Sequence, residues 1–178
     1  MQINKTDFEG LYVIDKFVSR DDRGNFIKMF NYDEFINNGI DVEFKESYYS
    51  TSKKNVIRGM HFQLPPDQHA KLVTVIKGSV TDVVVDLRKE SPTYKKVFSI
   101  ELSDRNNKAL FIPVGMAHGF VSNEDDTVML YQVSTGYHKE SDCGIRYDSI
   151  DYQWNVTNPI VSDRDRSFES INDFRSPF

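Results

Sequence analysis

Residues 71–88, KLVTVIKGSVTDVVVDLR, decide the fold class. Leu72-Val73-Thr74-Val75-Ile76 and Val80-Thr81-Asp82-Val83-Val84-Val85-Asp86 are short, β-branched and apolar. Runs of that length and composition are strands rather than helices. Lys77-Gly78-Ser79 between them predicts a β-hairpin. One residue does not suit an apolar strand. Asp82, if it points inward, is costly to bury without a partner, and Lys71 across the hairpin is the candidate.

Similar short extended runs continue on both sides. Residues 10–19 read as a strand, residues 21–25 as a turn, and residues 26–30 resume extended structure. Residues 32–38 suit a short helix stopped at Asn38-Gly39. Further strands are expected at residues 42–50, 56–63, 96–102, 109–112, 120–122 and 127–133, with a turn at residues 104–107. Many short strands with almost no helix predict an all-β sandwich or closed barrel. Beyond Ser134 the pattern weakens, and residues 152–178 form a polar, loop-like C-terminal extension with Trp154 packed. No repeat, linker or low-complexity stretch divides the chain, so one domain over residues 1–178 is expected.

Composition agrees. Hydrophobic residues at 39% support a packed core, and aromatics at 13%, rich in Phe and Tyr, favour strands. The formal charge of −5 argues against general nucleic-acid binding. Cys143 is the only cysteine, so no intrachain disulfide forms, which fits a reducing compartment. The first residues lack the apolar core of a signal peptide, and no apolar run approaches the roughly 20 residues that span a bilayer. A soluble cytoplasmic protein without a membrane partner is the expectation.

Two of the four histidines stand in informative contexts, although a lone histidine is more often structural. In Arg58-Gly59-Met60-His61-Phe62-Gln63, strand alternation puts Gly59, His61 and Gln63 on one face and Met60 and Phe62 on the other. Arg58 then points away, unless a bulge at Gly59 re-aims it. His118 follows a Pro113-x-Gly115-x-x-His118 turn similar to that of cupin barrels. Metal-binding cupins also carry a His-x-His pair, which is missing here, so no metal site is expected.

Several spaced motifs together resemble the dTDP-4-dehydrorhamnose 3,5-epimerase family. They are Asp22-Arg23-Gly24, Arg58-Gly59-Met60-His61-Phe62-Gln63, Lys71-Leu72-Val73, Val83-Val84-Val85-Asp86-Leu87-Arg88 and Ser91-Pro92-Thr93. Ile112-Pro113, Ala117-His118-Gly119-Phe120, Gly144-Ile145-Arg146-Tyr147-Asp148 and Ser162-Asp163-Arg164-Asp165 continue in the family's order. The resemblance implies a cupin-like jelly roll, usually a homodimer. It implies epimerisation of a nucleoside-diphosphate 4-keto-6-deoxy sugar in deoxysugar and polysaccharide biosynthesis, without metal or redox cofactor. It further implies His61 as general base with Asp165 as dyad partner, Tyr131 as general acid and Lys71 near the ketone oxygen. Arg23, Arg58, His118 and Tyr137 fall on substrate-contacting positions, Arg23 being lent across the dimer. Gln63 and Asp82 complete the expected binding set.

The chemistry needs such a set. A C–H beside a ketone is a far weaker acid than imidazolium, whose pKa is about 6.5, so the enolate must be stabilised. A lysine in a dry pocket does this, a carboxylate orients the imidazole, and a tyrosine supplies a proton from the opposite face. Taken singly, Lys71, Tyr131, Tyr137 and Asp165 could be a solvated lysine, packing aromatics and part of a charged segment. Four positions depart from the family's pattern: Lys28 stands for a glutamate, Glu46 and Tyr48 for amides, and Asp142 for a glutamate. These reverse hydrogen-bond roles where substrate is read. They suggest an altered substrate, such as a CDP-linked sugar inverted at C3 only. A metal-dependent cupin enzyme, a 3,4-ketoisomerase and a non-catalytic sugar-binding module stay open as alternatives.

Overall fold

The computed structural model describes residues 1–178. Its strands are β1 (Gln2–Lys5), β2 (Tyr12–Asp15), β3 (Phe17–Asp21), β4 (Gly24–Lys28), β5 (Glu46–Ser52), β6 (Ile57–Gln63), β7 (Lys71–Lys77), β8 (Ser79–Asp86), β9 (Val97–Ser103), β10 (Lys108–Ile112), β11 (Met116–Ser122), β12 (Thr127–Val133) and β13 (Asp142–Gly144). Two short helices, α1 (Tyr32–Asn37) and α2 (Asp163–Ser167), lie outside them. One sheet runs β1-β2-β10-β7-β12-β5, the other β13-β6-β11-β8-β9, and β3 and β4 form a separate hairpin. This is the all-β, cupin-like jelly roll expected, with short peripheral helices and a C-terminal extension.

Residues 71–88 form two strands, but not a hairpin. β7 pairs with β10 and β12, whereas β8 pairs with β9 and β11 in the other sheet. The reason lies in composition. Both strands are apolar on both faces, so each suits the middle of a sheet and needs two neighbours of its own. Gly78 makes the crossing at φ +82°, where a Cβ would meet the Thr127 hydroxyl at 2.5 Å. Residues 10–19 likewise split into β2 and β3. The break is at Lys16, which is buried and whose Nζ donates to Thr74 Oγ1 at 2.7 Å.

Strand parity distributes the side chains. Val73 and Val75, Val80 and Val84, Met116 and Phe120, and Met129 and Tyr131 point between the sheets and form the central core. The alternate residues point outward and are covered. Leu72 and Phe111 lie under Phe35 of α1, whose first turn is capped by the Asn31 side chain on the Glu34 N–H. Met60, Phe62, Val83, Val85 and Ala117 lie under a layer made by the C-terminal residues Ile150, Tyr152, Trp154, Ile171, Phe174 and Phe178. The extension is loop-like as expected, yet its apolar residues make it the cover of one sheet. Trp154 is half-buried and donates to the Tyr147 carbonyl at 2.9 Å. No helix is long and apolar enough to cross a membrane.

Candidate active site

Over part of the barrel the inward positions carry polar side chains instead of apolar ones. Lys71 continues the parity of Val73 and Val75, Asp82 that of Val80 and Val84, His118 that of Met116 and Phe120, and Tyr131 that of Met129. Lys71, His118 and Tyr131 line a cavity of about 370 Å³, a size that suits a small organic ligand. Of the expected residues, Glu46, Tyr48, Arg58, His61, Gln63, Lys71, His118, Tyr131, Tyr137 and Asp142 line it.

His61 and Arg58 share the cavity because β6 carries an extra residue. Against β11, His118 pairs with His61 but Phe120 pairs with Arg58, so three steps on β6 match two on β11. Gly59 allows this at φ +143°, and a Cβ there would lie 2.6 Å from Gly119 Cα. The anticipated bulge therefore does turn Arg58 toward His61. Arg58 is tied down by Ser52 Oγ at 3.1 Å and the Thr51 carbonyl at 3.0 Å.

His61 Nε2 meets Asp165 Oδ1 at 2.9 Å. A carboxylate only accepts, so Nε2 carries the proton and the lone pair stays on Nδ1, which has no protein partner. The second oxygen, Oδ2, accepts the Gly59 N–H at 3.0 Å, and Ser162 Oγ accepts the Asp165 N–H at 3.1 Å. Burial lowers the His61 pKa below its ordinary 6.5 despite the opposing pull of Asp165, so the imidazole is neutral at neutral pH. Burial works to raise Asp165, but the hydrogen bonds from His61 and Gly59 outweigh it and hold the carboxyl below the usual range.

A second histidine–carboxylate pair lies beside the first, on the neighbouring strand β11. His118 Nε2 meets Asp82 Oδ2 at 2.8 Å. Asp82 is fully buried behind His118 and does not itself line the cavity, and its Oδ1 has no partner. The expected Asp82–Lys71 contact is therefore corrected. β8 lies beside β11, where Asp82 and His118 are diagonal neighbours, while β7 belongs to the opposite sheet. Burial raises the Asp82 pKa, with His118 and Lys71 opposing.

Lys71 Nζ donates to the His61 carbonyl at 3.1 Å, bridging the sheets. Burial lowers its pKa to about 8 against the attraction of Asp142 and Asp82, leaving it mostly charged at neutral pH. Tyr131 comes from the six-stranded sheet, opposite His61. Its hydroxyl lies 3.4 Å from Ser50 Oγ, and its ring stacks on Tyr48 at 4.8 Å. Burial raises the Tyr131 pKa well above 10 and pushes Tyr48 up to about 12, so both phenols keep their protons.

The rest of the binding set divides. Gln63 is committed to the Asp67 and Gly136 carbonyls at 2.7 and 3.2 Å, and accepts the His138 N–H at 2.8 Å. Glu46 Oε2 accepts the Tyr137 N–H at 2.8 Å. Arg23 and Lys28 do not reach the cavity. Arg23 sits at the β3–β4 turn paired with Asp21 at 2.6 Å, and Lys28 lies over the Phe17 ring. Two titratable lining residues, Arg164 and His69, were missed. Arg164 pairs with Asp142 at 2.7 Å and lies over Phe168, whose ring meets the edge of His61. The apolar Phe168 four residues after Arg164 is the one signal that could have marked it. His69, just before Lys71, had no motif to mark it. No three His, Cys, Asp or Glu side chains converge in a metal-holding geometry.

His69 gives a pH prediction. Burial, with the charges of Lys71 and His118, holds its pKa at about 3. Below about pH 6.5 the unfolded chain takes up a proton there that the folded one refuses, so stability falls as pH falls. The loss is at most about 1.4 kcal/mol per pH unit. Asp82 acts with the opposite sign, so wild type is compared with His69→Phe. The Tm of the variant is expected to decline less between pH 6.5 and 4.5, and parallel declines would refute the assignment.

The family model described as dTDP-4-dehydrorhamnose 3,5-epimerase matches residues 5–173. The dTDP-4-dehydrorhamnose 3,5-epimerase of Methanothermobacter thermautotrophicus is 40% identical over 174 residues, which are 95% of this chain and 94% of that protein. A crystal structure of dTDP-4-dehydrorhamnose 3,5-epimerase from Bacillus anthracis with TDP and PPi bound has a TM-score of 0.93 at 34% identity, covering 96% of this chain and 99% of that one. The dTDP-6-deoxy-D-glucose-3,5-epimerase of Legionella pneumophila, in complex with dTDP-4-keto-L-rhamnose, has a TM-score of 0.93 at 31% identity, covering 98% and 94%.

Proposed function

Because the chain belongs to the dTDP-4-dehydrorhamnose 3,5-epimerase family, we propose that it is an isomerase of deoxysugar biosynthesis that inverts C3 and C5 of a dTDP-linked 4-keto-6-deoxyhexose. The observation that carries this reading is the cavity's polarity. A neutral imidazole backed by a carboxylate stands on one sheet, a protonated phenol on the other, and a buried lysine ammonium between them.

In this reading His61 Nδ1 removes the proton beside the ketone, and Asp165 stabilises the imidazolium that forms. The electron pair moves onto the ketone oxygen, where Lys71 meets the developing charge. Tyr131 then delivers its proton to the opposite face of the carbon. His61 loses its proton to solvent and the Tyr131 phenolate regains one, which restores the starting state. Arg58 suits the diphosphate.

Incubation in heavy water with the dTDP-4-keto-6-deoxyhexose tests the reading, with deuterium expected at both C3 and C5. Label at C3 alone overturns double inversion, and no label overturns the enzymatic reading. Titration with dTDP, CDP and GDP sugars tests the nucleotide. The names of the relatives favour dTDP over the CDP-linked, C3-only reaction that the sequence departures suggested. One of those departures, Lys28, also stands outside the cavity. Tightest binding of the CDP sugar overturns this choice.

Lys71→Met tests the enolate role. Methionine fills the same space without the charge, so kcat is expected to fall by about 10²-fold with little change in KM. A loss under about threefold removes Lys71 from the reaction. A homodimer belongs to the same proposal, supported by Phe17 and Phe26, which are 46% and 62% exposed on the β3–β4 hairpin that carries Arg23. Light scattering after gel filtration tests it.

A further inference from the structure

Two cavity histidines have carboxylates behind them, and the third has nothing. Both ring nitrogens of His69 are buried without a hydrogen-bond partner. The chain on either side is held in place. The Ala70 N–H donates to Ser134 Oγ at 2.8 Å, and Thr135 Oγ1 donates to the Gln68 carbonyl at 3.1 Å. The ring is therefore kept at the cavity wall, beside Lys71 and Thr135, with its polar atoms unanswered. Orphaned buried polar atoms are destabilising, and they call for an explanation when a folded protein retains them.

The charges acting on this ring are those of Lys71 and His118, and the imidazole is neutral. A neutral imidazole offers one donor and one acceptor. A diphosphate only accepts and calls for cations, which Arg58 supplies. A ketone oxygen only accepts as well, and Lys71 serves it. A hydroxyl both accepts and donates, and so it answers whichever ring nitrogen it meets, with either polarity.

We propose that His69 is a specificity-determining residue that hydrogen-bonds a ring hydroxyl of the hexose. The proposal rests on the nucleotide-sugar reading of this cavity and deepens it by naming the group that reads the sugar rather than the nucleotide.

Binding of the 4-hydroxy form of the dTDP-6-deoxyhexose, which has no ketone and cannot exchange, is the test, measured by calorimetry. His69→Phe is expected to weaken it about tenfold, and His69→Gln, which keeps a donor and an acceptor, to stay within about threefold of wild type. dTDP alone is expected to bind wild type and His69→Phe equally, an outcome that mere structural damage would not give. The gap between wild type and His69→Phe is expected to close with either the 2-deoxy or the 3-deoxy sugar, which identifies the hydroxyl. Equal affinities of wild type and His69→Phe for the full sugar overturn the inference. So do equal losses for dTDP alone, or a gap that persists with both deoxy sugars. Failure of the functional reading is separate, because it appears as no deuterium wash-in by the wild type.

Discussion

Replacement of His61 by glutamine is expected to lower turnover by about 10³-fold, within the range for losing a general base. The expected size follows from the surroundings. Its titratable neighbours are poorly suited to replace it. His118 is locked on Asp82 at 2.8 Å, His69 is a weak base because burial holds its pKa at about 3, and Lys71, Tyr131 and Tyr48 hold their protons at neutral pH. Glutamine places an N–H where His61 Nε2 stood, so the buried carboxylate is not left bare. The His61 side chain is 30% exposed, so little packing is lost. The measurement is deuterium wash-in at C3 and C5 by NMR, with the far-UV spectrum and Tm as controls. Wash-in within about tenfold of wild type, in a folded variant, would remove His61 from the base role.

Asp165→Asn is expected to cost as much, about 10³-fold, although it changes no shape. The Gly59 N–H is what makes the exchange severe. It donates to Oδ2, so an asparagine must keep its oxygen there and turn its NH₂ toward His61. Nε2 must then accept, which moves the ring proton to Nδ1, the nitrogen assigned to take the substrate's proton. The favourable charge beside the imidazolium disappears as well. Steady-state kcat with the 4-keto sugar checks this, with KM expected to change little. A loss below about tenfold would mean that the carboxylate neither sets the tautomer nor stabilises the cation. In wild type the acid limb of kcat/KM is expected below pH 6.5, because burial lowers the His61 pKa.

How far the sequence went depended on whether a signal was local. Alternation along one strand was legible. It put His61 and Gln63 on the face opposite Met60 and Phe62, and Gly59 between Arg58 and His61 announced the bulge. The choice of strand partner was not legible. Lys77-Gly78-Ser79 suits a hairpin and a crossing between sheets equally well, and only the burial of both faces of both strands selects the crossing. The wrong pairing then misled the reading of Asp82, which was matched to Lys71 instead of His118. Asp165 was legible through the family's motif order, since nothing local in Asp163-Arg164-Asp165-Arg166 marks one acid as buried. Arg164 and His69 escaped for opposite reasons. Arg164 is hidden among charges that look solvated, while His69 stands alone and gains meaning only from its empty hydrogen-bonding positions.

The layer laid down by the C-terminal residues has a consequence in time. The two halves of the His61–Asp165 pair are 104 residues apart, and most of the barrel lies between them. Contacts so distant along the chain close late, after the intervening loops have been ordered. Each strand can find its sheet, and the core can exclude water, before Asp165 docks beneath the Gly59 amide. In a refolding experiment backbone circular dichroism should recover first, and the ability to move a proton last. Activity in this fold thus reports whether the final layer has been fastened, not only whether the barrel has formed.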